Sequence, residues 1–233
     1  MSASNKPPAV LLSIQVGLPK RYGSEDAADV HDKPWTTGFF KTQAAGPVFA
    51  GVSNLVGDGQ ADLINHGGFD KAVLAYSADH YPAWRAELNI PDMTYGAFGE
   101  NLTIAGLTED SVCLGDLIQI GKVMFEVSQP RQPCWKLSRR WRNHELTGMV
   151  VRNGRSGWYL RVITEGWMEA GTPVTLIERP NPEWTIARAN EIMLHRQLDL
   201  PLTLELANAP GLADSWVEEL LERAERLRSS NAV

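Results

Sequence analysis

The chain is poor in cysteine, with only Cys113 and Cys134 among 233 residues. Two cysteines cannot build a disulfide framework, and the absence of any C-x2-C pair argues against a structural zinc site. The five histidines, His31, His66, His80, His144 and His195, form no H-E-x-x-H or other metal-ligand spacing. Basic residues are in deficit: the formal net charge is -6, which argues against nucleic acid as the main partner while leaving room for a local basic pocket. Long apolar runs are also lacking. Residues 9–16 are too few to span a membrane and are followed by no small-residue cleavage site, so they read as a strand rather than a signal peptide. No later run reaches membrane length, and no internal repeat or low-complexity tract stands out. Together these absences predict a cytoplasmic protein that engages neither membrane nor nucleic acid.

What is present is an ordinary globular composition, 43% hydrophobic and 21% charged, in a length that suits one large domain or one domain with a small appendage. Residues 1–8 are polar and expected to fray. The first three quarters read as short strands, rich in β-branched and aromatic residues and punctuated by Gly, Pro, Asn and Asp. They are expected at residues 10–16, 36–42, 47–54, 72–76, 101–104, 117–120, 123–128, 158–164 and 174–178. Gly121-Lys122 marks a tight hairpin, and the strand-and-turn pattern argues for a barrel or sandwich. Two helices interrupt it, one capped by Asp79 and running to about Asn89, the other following Cys134 through Trp141. Residues 20–33 are polar and aperiodic and read as a surface loop.

The pattern changes at Arg179-Pro180-Asn181-Pro182, whose two prolines mark a linker. Residues 1–180 are therefore expected to form a β domain and 181–233 a small all-α domain. Within the latter, Ile186, Ala189, Ile192 and Met193 recur at helical spacing, residues 202–207 form a shorter segment, and Ser215-Trp216-Val217-Glu218 reads as a capping box opening a last helix to about Arg228. Trp216, Leu220 and Leu227 can share one face, with Leu221 at its margin. Three helices this short need support, from the β domain or from a second copy in a homodimer.

Four segments can carry chemistry. In Ser128-Gln129-Pro130-Arg131-Gln132-Pro133-Cys134-Trp135-Lys136, a cysteine sits between stiffening prolines and a helix, bracketed by Arg131 and Lys136. Nearby cations and a helix N-terminus both lower a thiol pKa, and the thiolate is the form that binds metal. His66-Gly67-Gly68-Phe69-Asp70-Lys71 pairs a glycine turn, whose N–H groups can cradle an anion, with a lysine at a strand entrance. Phe98-Gly99-Glu100-Asn101 sets an acceptor beside an amide. Arg152-Asn153-Gly154-Arg155-Ser156-Gly157-Trp158-Tyr159-Leu160-Arg161 clusters three arginines around a turn, and arginine forks suit phosphate. Cys113 has apolar neighbours and is expected to be buried and inert. Gln129 and Cys134-Trp135 suggest a papain-like protease, but the local C-G-[SA]-C-[WY] signature and a histidine far downstream are absent.

Taken in order, these segments resemble the MOSC family, named for the C-terminal domain of molybdenum cofactor sulfurase, and most closely its YiiM-like bacterial branch. The resemblance rests on His66-Gly67-Gly68-Phe69-Asp70-Lys71-Ala72, Phe98-Gly99-Glu100-Asn101-Leu102, Gly106-Leu107-Thr108-Glu109, Leu114-Gly115-Asp116, Ser128 through Cys134, and Gly157-Trp158-Tyr159-Leu160-Arg161-Val162. The helical tail resembles that branch's three-helix extension. The resemblance implies a mainly β, MOSC-type β-barrel with a few flanking helices and a small C-terminal all-α domain, binding molybdenum cofactor (molybdopterin), with Cys134 ligating the metal. It implies reduction of N-hydroxylated compounds, hydroxylaminopurine-type base analogues among them, to amines. No flavin, haem or nicotinamide motif is present and pyridoxal phosphate is not expected, so a separate electron-donor protein is implied. Cys134, Glu100 and His66 are then the expected catalytic residues. His66, Gly67, Gly68, Lys71, Asn101, Ser128, Arg131, Arg155 and Arg161 are the expected cofactor contacts. The other readings are a non-catalytic carrier or sensor that holds the cofactor or a sulfur atom on Cys134, and a helical interaction module in which the tail works and the β domain is a scaffold.

Overall fold

The computed structural model describes residues 8–230. The expectation for the polar N-terminus falls outside that range except at Pro8. Among the described residues thirteen strands occur: β1 Val10–Val16, β2 Lys20–Tyr22, β3 Trp35–Thr37, β4 Thr42–Gln43, β5 Val48–Gly51, β6 Asn54–Leu55, β7 Val73–Ser77, β8 Leu102–Ala105, β9 Leu117–Ile120, β10 Val123–Pro130, β11 Trp158–Thr164, β12 Gly166–Met168 and β13 Val174–Glu178. Eight of them form one sheet in the order β13-β9-β10-β11-β7-β8-β1-β4, antiparallel throughout except for the parallel β7–β8 pair. The hairpin at Gly121-Lys122 joins β9 to β10 as its spacing predicts.

The expected barrel is not closed. Among the described residues no strand ladder joins the two ends of the sheet. The sheet curls until β1 meets the residues leading into β13 at a single bridge, Val10 to Pro173. The Leu11 and Val174 N–H groups donate across the seam to Thr172 and Ala9 at 3.0 and 2.8 Å, and Gly171 N–H donates to Leu11. Pro173 offers no N–H, so a regular ladder cannot continue through that bridge.

Alternation sorts the strands' side chains between two cores. Val73 and Ala75 of β7, Trp158, Leu160 and Val162 of β11, and Val123, Phe125 and Val127 of β10 enter the larger cluster. The intervening Tyr76 faces the second cluster, with Tyr81, Trp84, Phe98, Leu137, Leu146 and Val150. All of β7 is therefore buried, wedged between two apolar layers. Gly157, at the entrance to β11, has φ +77°, and a Cβ there would lie 2.5 Å from the Ala75 carbonyl oxygen. Only glycine lets β11 approach β7 so closely.

Among the described residues seven α-helices flank the sheet: α1 Leu63–His66, α2 Tyr81–Glu87, α3 Trp135–Arg140, α4 Leu146–Asn153, α5 Ile186–Asn190, α6 Leu200–Ala207 and α7 Asp214–Ser230. Several local expectations are corrected. The polar segment after β1 is not only loop, since β2 pairs with β3 and Val30–Asp32 forms a 3-10 turn. The expected strand 36–42 is divided between β3 and β4. Asp79 does not cap α2: Ser77 caps a short 3-10 turn that leads into α2, while the Asp79 carboxylate accepts the Gly106 N–H. Nor is Ser215 a cap, because α7 already begins at Asp214. The helix read from Trp184 onward starts at a Thr185 cap and widens into a π turn over Glu191–His195.

The C-terminal helices do not form a separate core. Trp184, Ile186, Ala189, Ile192, Met193, Leu206, Trp216 and Leu220 belong to the same apolar cluster as the strands. Leu114 and Ile186 N–H donate across the junction to the Trp184 and Val112 carbonyls at 2.8 and 2.9 Å. The support that the tail needs is on its own chain. Leu227 is only half-buried and Leu221 is exposed; the buried residues of α7 are Trp216, Leu220, Arg223 and Ala224. Cys113 is buried as expected, and its thiol is pushed up by desolvation.

A cationic cavity around Cys134

Strand β10 ends at Pro130, and Arg131 continues its pairing by donating its N–H to the Gly157 carbonyl at 3.0 Å. The chain then turns through Gln132-Pro133 so that Cys134 occupies the N-cap of α3 with extended backbone. Its carbonyl accepts from Leu137 N–H at 3.1 Å and from the Thr147 hydroxyl at 3.3 Å, and Ser138 ties α3 to α4 through Thr147 at 2.7 Å. These bonds set the position of the thiol before any ligand arrives.

The sulfur opens on a cavity of about 600 Å³, the part continuous with solvent included. Its floor comes from the sheet face opposite the main core. Leu74 of β7 and Tyr159 of β11 are cross-strand partners, and Gln129 of β10 pairs with Tyr159 on the other side. Phe39, Phe98 and Gly99 form one wall, Gly59, Gln60, Ala61, Asp62 and His66 another, and Lys41, Lys71, Arg131 and Lys136 contribute cations.

The electrostatics act on Cys134 from both directions. Burial pushes its thiol up, but a hydrogen bond from the His66 side chain, the positive charge of Arg131 and the Lys136 backbone N–H outweigh burial and bring the pKa to about 7. Arg131 is 3% exposed. Its Nη2 donates to the Phe98 carbonyl at 3.3 Å, whereas its buried Nη1 has no hydrogen-bond partner among the described residues. A buried guanidinium with an unused face is costly unless something occupies that face. Burial likewise pushes the Tyr159 phenol up, with Arg131 acting against it and Cys134 with it. Lys41 forms a buried ion pair with Asp58, which also accepts from Gly17 N–H and Asn101 Nδ2 at 2.9 Å each. Desolvation lowers the Lys41 amine, and Asp58 opposes the shift.

The sequence-predicted residues divide into two groups. Cys134, His66, Lys71, Asn101 and Arg131 line the cavity together. Gly67 and Gly68 lie in the same turn as His66 and Lys71 but outside the lining. Glu100 is fully buried elsewhere, its carboxylate accepting from Gly96 N–H at 2.7 Å, Phe98 N–H at 3.1 Å, the Thr103 hydroxyl at 3.0 Å and the Tyr81 hydroxyl at 2.5 Å. Ser128 donates to the Asp70 carbonyl at 2.6 Å, behind the pocket. Arg155 pairs with Glu87 at 2.7 Å and covers the Trp84 ring. Arg161 pairs with Asp70 at 2.5 Å and with Glu126, and donates to the Gly211 carbonyl. Lys41 and Gln60 carried no signal in the sequence, because neither stands in an unusual local pattern. Lys136 and Tyr159 stood inside quoted motifs, yet only the registry of β11 with β7 and β10 shows that Tyr159 faces the pocket.

Comparison with known proteins matches residues 62–175 to the MOSC domain and residues 184–226 to the YiiM-like, 3-alpha helix domain. The Bacillus subtilis protein YflK, itself uncharacterised, is 38% identical over 93% of this chain and 95% of its own length. A Gibberella moniliformis protein named as a reductase is 35% identical over 95% of this chain, which spans 38% of that longer protein. The crystal structure of YiiM from Geobacillus stearothermophilus superposes with a TM-score of 0.78 at 37% identity, covering 93% of this chain and all of that one.

Proposed function

This chain belongs to the MOSC domain family and carries a YiiM-like three-helix domain, and on that premise we propose that it is a molybdenum-cofactor-dependent reductase converting N-hydroxylated substrates, of the hydroxylaminopurine type, to amines. The observation that carries the reading is the pairing, in one cavity, of a thiol held at about 7 with a buried arginine whose Nη1 has no partner among the described residues. A soft thiolate is the donor that a molybdenum centre takes, and a cationic pocket in a chain of net charge -6 fits the phosphate end of the pterin.

The residues present fit the group. Cys134 would hold the metal as its thiolate, with His66 keeping the proton off the sulfur. Arg131, Lys71 and Lys136 would take the phosphate. Leu74, Phe98 and Tyr159 supply apolar surface beside these charges. When bound, the cofactor would supply the two electrons; the protein would orient the substrate, desolvate it and position protons. The fungal relative's name supports the redox class. The electrons would come from a separate electron-donor protein, and a reducing compartment such as the cytoplasm would keep the half-buried Cys134 thiol free of disulfides. Among the described residues no helix is long and apolar enough to cross a membrane.

The test is expression in a host that makes molybdenum cofactor, followed by metal and pterin analysis and assay of N-hydroxylamine reduction. The expected result is close to one molybdenum per chain in the wild type and loss of both metal and activity in Cys134→Ser. Wild-type protein without molybdenum would refute the reading, as would Cys134→Ser with full activity. A persulfide on Cys134 with no turnover would instead establish the carrier alternative.

A further inference from the structure

Resting on the reading above, we propose that Tyr159 is a catalytic residue that donates a hydrogen bond from its hydroxyl to the oxygen of the substrate's N–OH group. Tyr159 is 9% exposed and lines the Cys134 cavity. Its hydroxyl makes no hydrogen bond among the described residues, although the other buried tyrosines are committed: Tyr76 donates to the Arg155 carbonyl and Tyr81 to Glu100. The ring is buried, but its oxygen is not itself enclosed and opens on the cavity, where the Arg131 guanidinium and the Cys134 sulfur are charged neighbours.

The competing donors are less available. Glu100 lies outside the cavity, with four donors already on its carboxylate. Lys41 is held by Asp58, and His66 engages the Cys134 thiol through one ring nitrogen while its Nδ1 lies 3.4 Å from the Asp62 carboxylate. Tyr159 stands on β11 between Leu74 and Gln129, so a strand rather than a loop fixes its position.

The overall step balances as R–NH–OH plus two electrons and two protons giving R–NH2 and water. The N–O bond breaks, nitrogen is reduced, and the oxygen leaves as water. The electrons come from the reduced molybdenum cofactor, recharged by an electron-donor protein, and the protons come from solvent. Tyr159 holds the oxygen and offsets the negative charge that develops on it as the bond lengthens. A positioned donor of this kind is worth on the order of 10²-fold in kcat.

The experiment compares wild type with Tyr159→Phe, both purified from a cofactor-replete host. Because the hydroxyl has no partner among the described residues, the variant is expected to melt within a few degrees of wild type with equal molybdenum content. We expect kcat/KM to fall on the order of 10²-fold. On oxidised protein, which cannot turn over, tryptophan quenching reads affinity without activity. There the N-hydroxylated base is expected to bind roughly 3- to 10-fold more weakly to the variant, as the loss of one hydrogen bond predicts. The corresponding amine, which lacks the oxygen, is expected to bind both proteins equally. A kcat/KM within threefold of wild type overturns the proposal. So does an equal loss of affinity for base and amine, or loss of molybdenum from the variant, since each marks a structural role. Wild-type protein that lacks molybdenum and turnover overturns the underlying function, a result distinct from the other three.

Discussion

Arg131→Met removes a buried positive charge beside Cys134 while keeping a side chain of similar length. With a pKa of about 7, Cys134 is half ionised at neutral pH. A thiol in a flexible chain, at about 8.5, would be about 3% ionised there. Burial raises the Cys134 pKa, and His66, Arg131 and the Lys136 N–H bring it down. Without Arg131 burial counts for more, and the inflection moves up toward 8.5. The assay is thiolate absorbance at 240 nm as a function of pH, in a Cys113→Ala background so that one thiol is read. Alkylation rate at a single pH is a poorer measure. A rise of one in pKa, from about 7 to about 8, lowers the thiolate fraction at pH 7 about fivefold, but a Brønsted slope of about 0.4–0.5 returns roughly threefold through greater nucleophilicity. Stability follows with a definite sign. The folded pKa lies below the unfolded one, so the thiolate's contribution is fully present above about pH 8.5 and is lost as pH falls through about 7. The difference of about 1.5 corresponds to roughly 2 kcal/mol at most. A wild-type inflection near 8.5, or one that stays near 7 in Arg131→Met, would refute the account of the site.

Three further outcomes test the framework around the pocket. Asp58→Ala leaves the Lys41 ammonium buried without its partner and is expected to cost about 3–5 kcal/mol in urea unfolding, with most of it recovered in Lys41→Met/Asp58→Leu; a change below 1 kcal/mol contradicts the buried pair. Trp216→Ala, at a residue 1% exposed in the cluster shared with the strands, is expected to cost about 3–5 kcal/mol in a single cooperative transition; separate unfolding of tail and sheet would contradict the shared core. Glu100→Gln weakens the bonds from Gly96 N–H and Phe98 N–H and is expected to lower stability by about 1.5–3 kcal/mol while leaving molybdenum content unchanged, which metal analysis checks.

Residue type was a reliable guide to several strands, and helical spacing to the first part of the tail. The strands at β9, β11 and β13 lie where their residue patterns place them. So do Ile186, Ala189, Ile192 and Met193, because a helix packed on a core must present an apolar stripe. Capping was less legible. Ser77, Asp79 and Ser215 are all competent side chains, and which one caps depends on neighbours such as the Gly106 N–H that claims Asp79. β12, a strand of three residues, carries too little sequence to declare itself and exists by pairing with β5.

The arginines divide for a similar reason. Arg131, Arg155 and Arg161 look alike as cations near glycine-rich turns, but a carboxylate brought from elsewhere decides each one's role. Glu87 takes Arg155, Asp70 and Glu126 take Arg161, and none takes the Nη1 of Arg131. The same logic removes Glu100 from the cavity, since its four donors come from its own loop and from Tyr81.

By itself, the sequence determined the chemistry available: a cysteine stiffened by prolines, cations beside it, glycine turns that admit close approach, and an apolar pattern that makes strands first and helices last. These are local properties, set by side-chain type and spacing over a few residues. Only the tertiary structure decided that the sheet stays open at one bridge, that the tail shares its core with the strands, and that Tyr159 faces Cys134 across the pocket floor. Each of these depends on which distant segments meet, and that is settled by burial and pairing between residues up to a hundred or more positions apart.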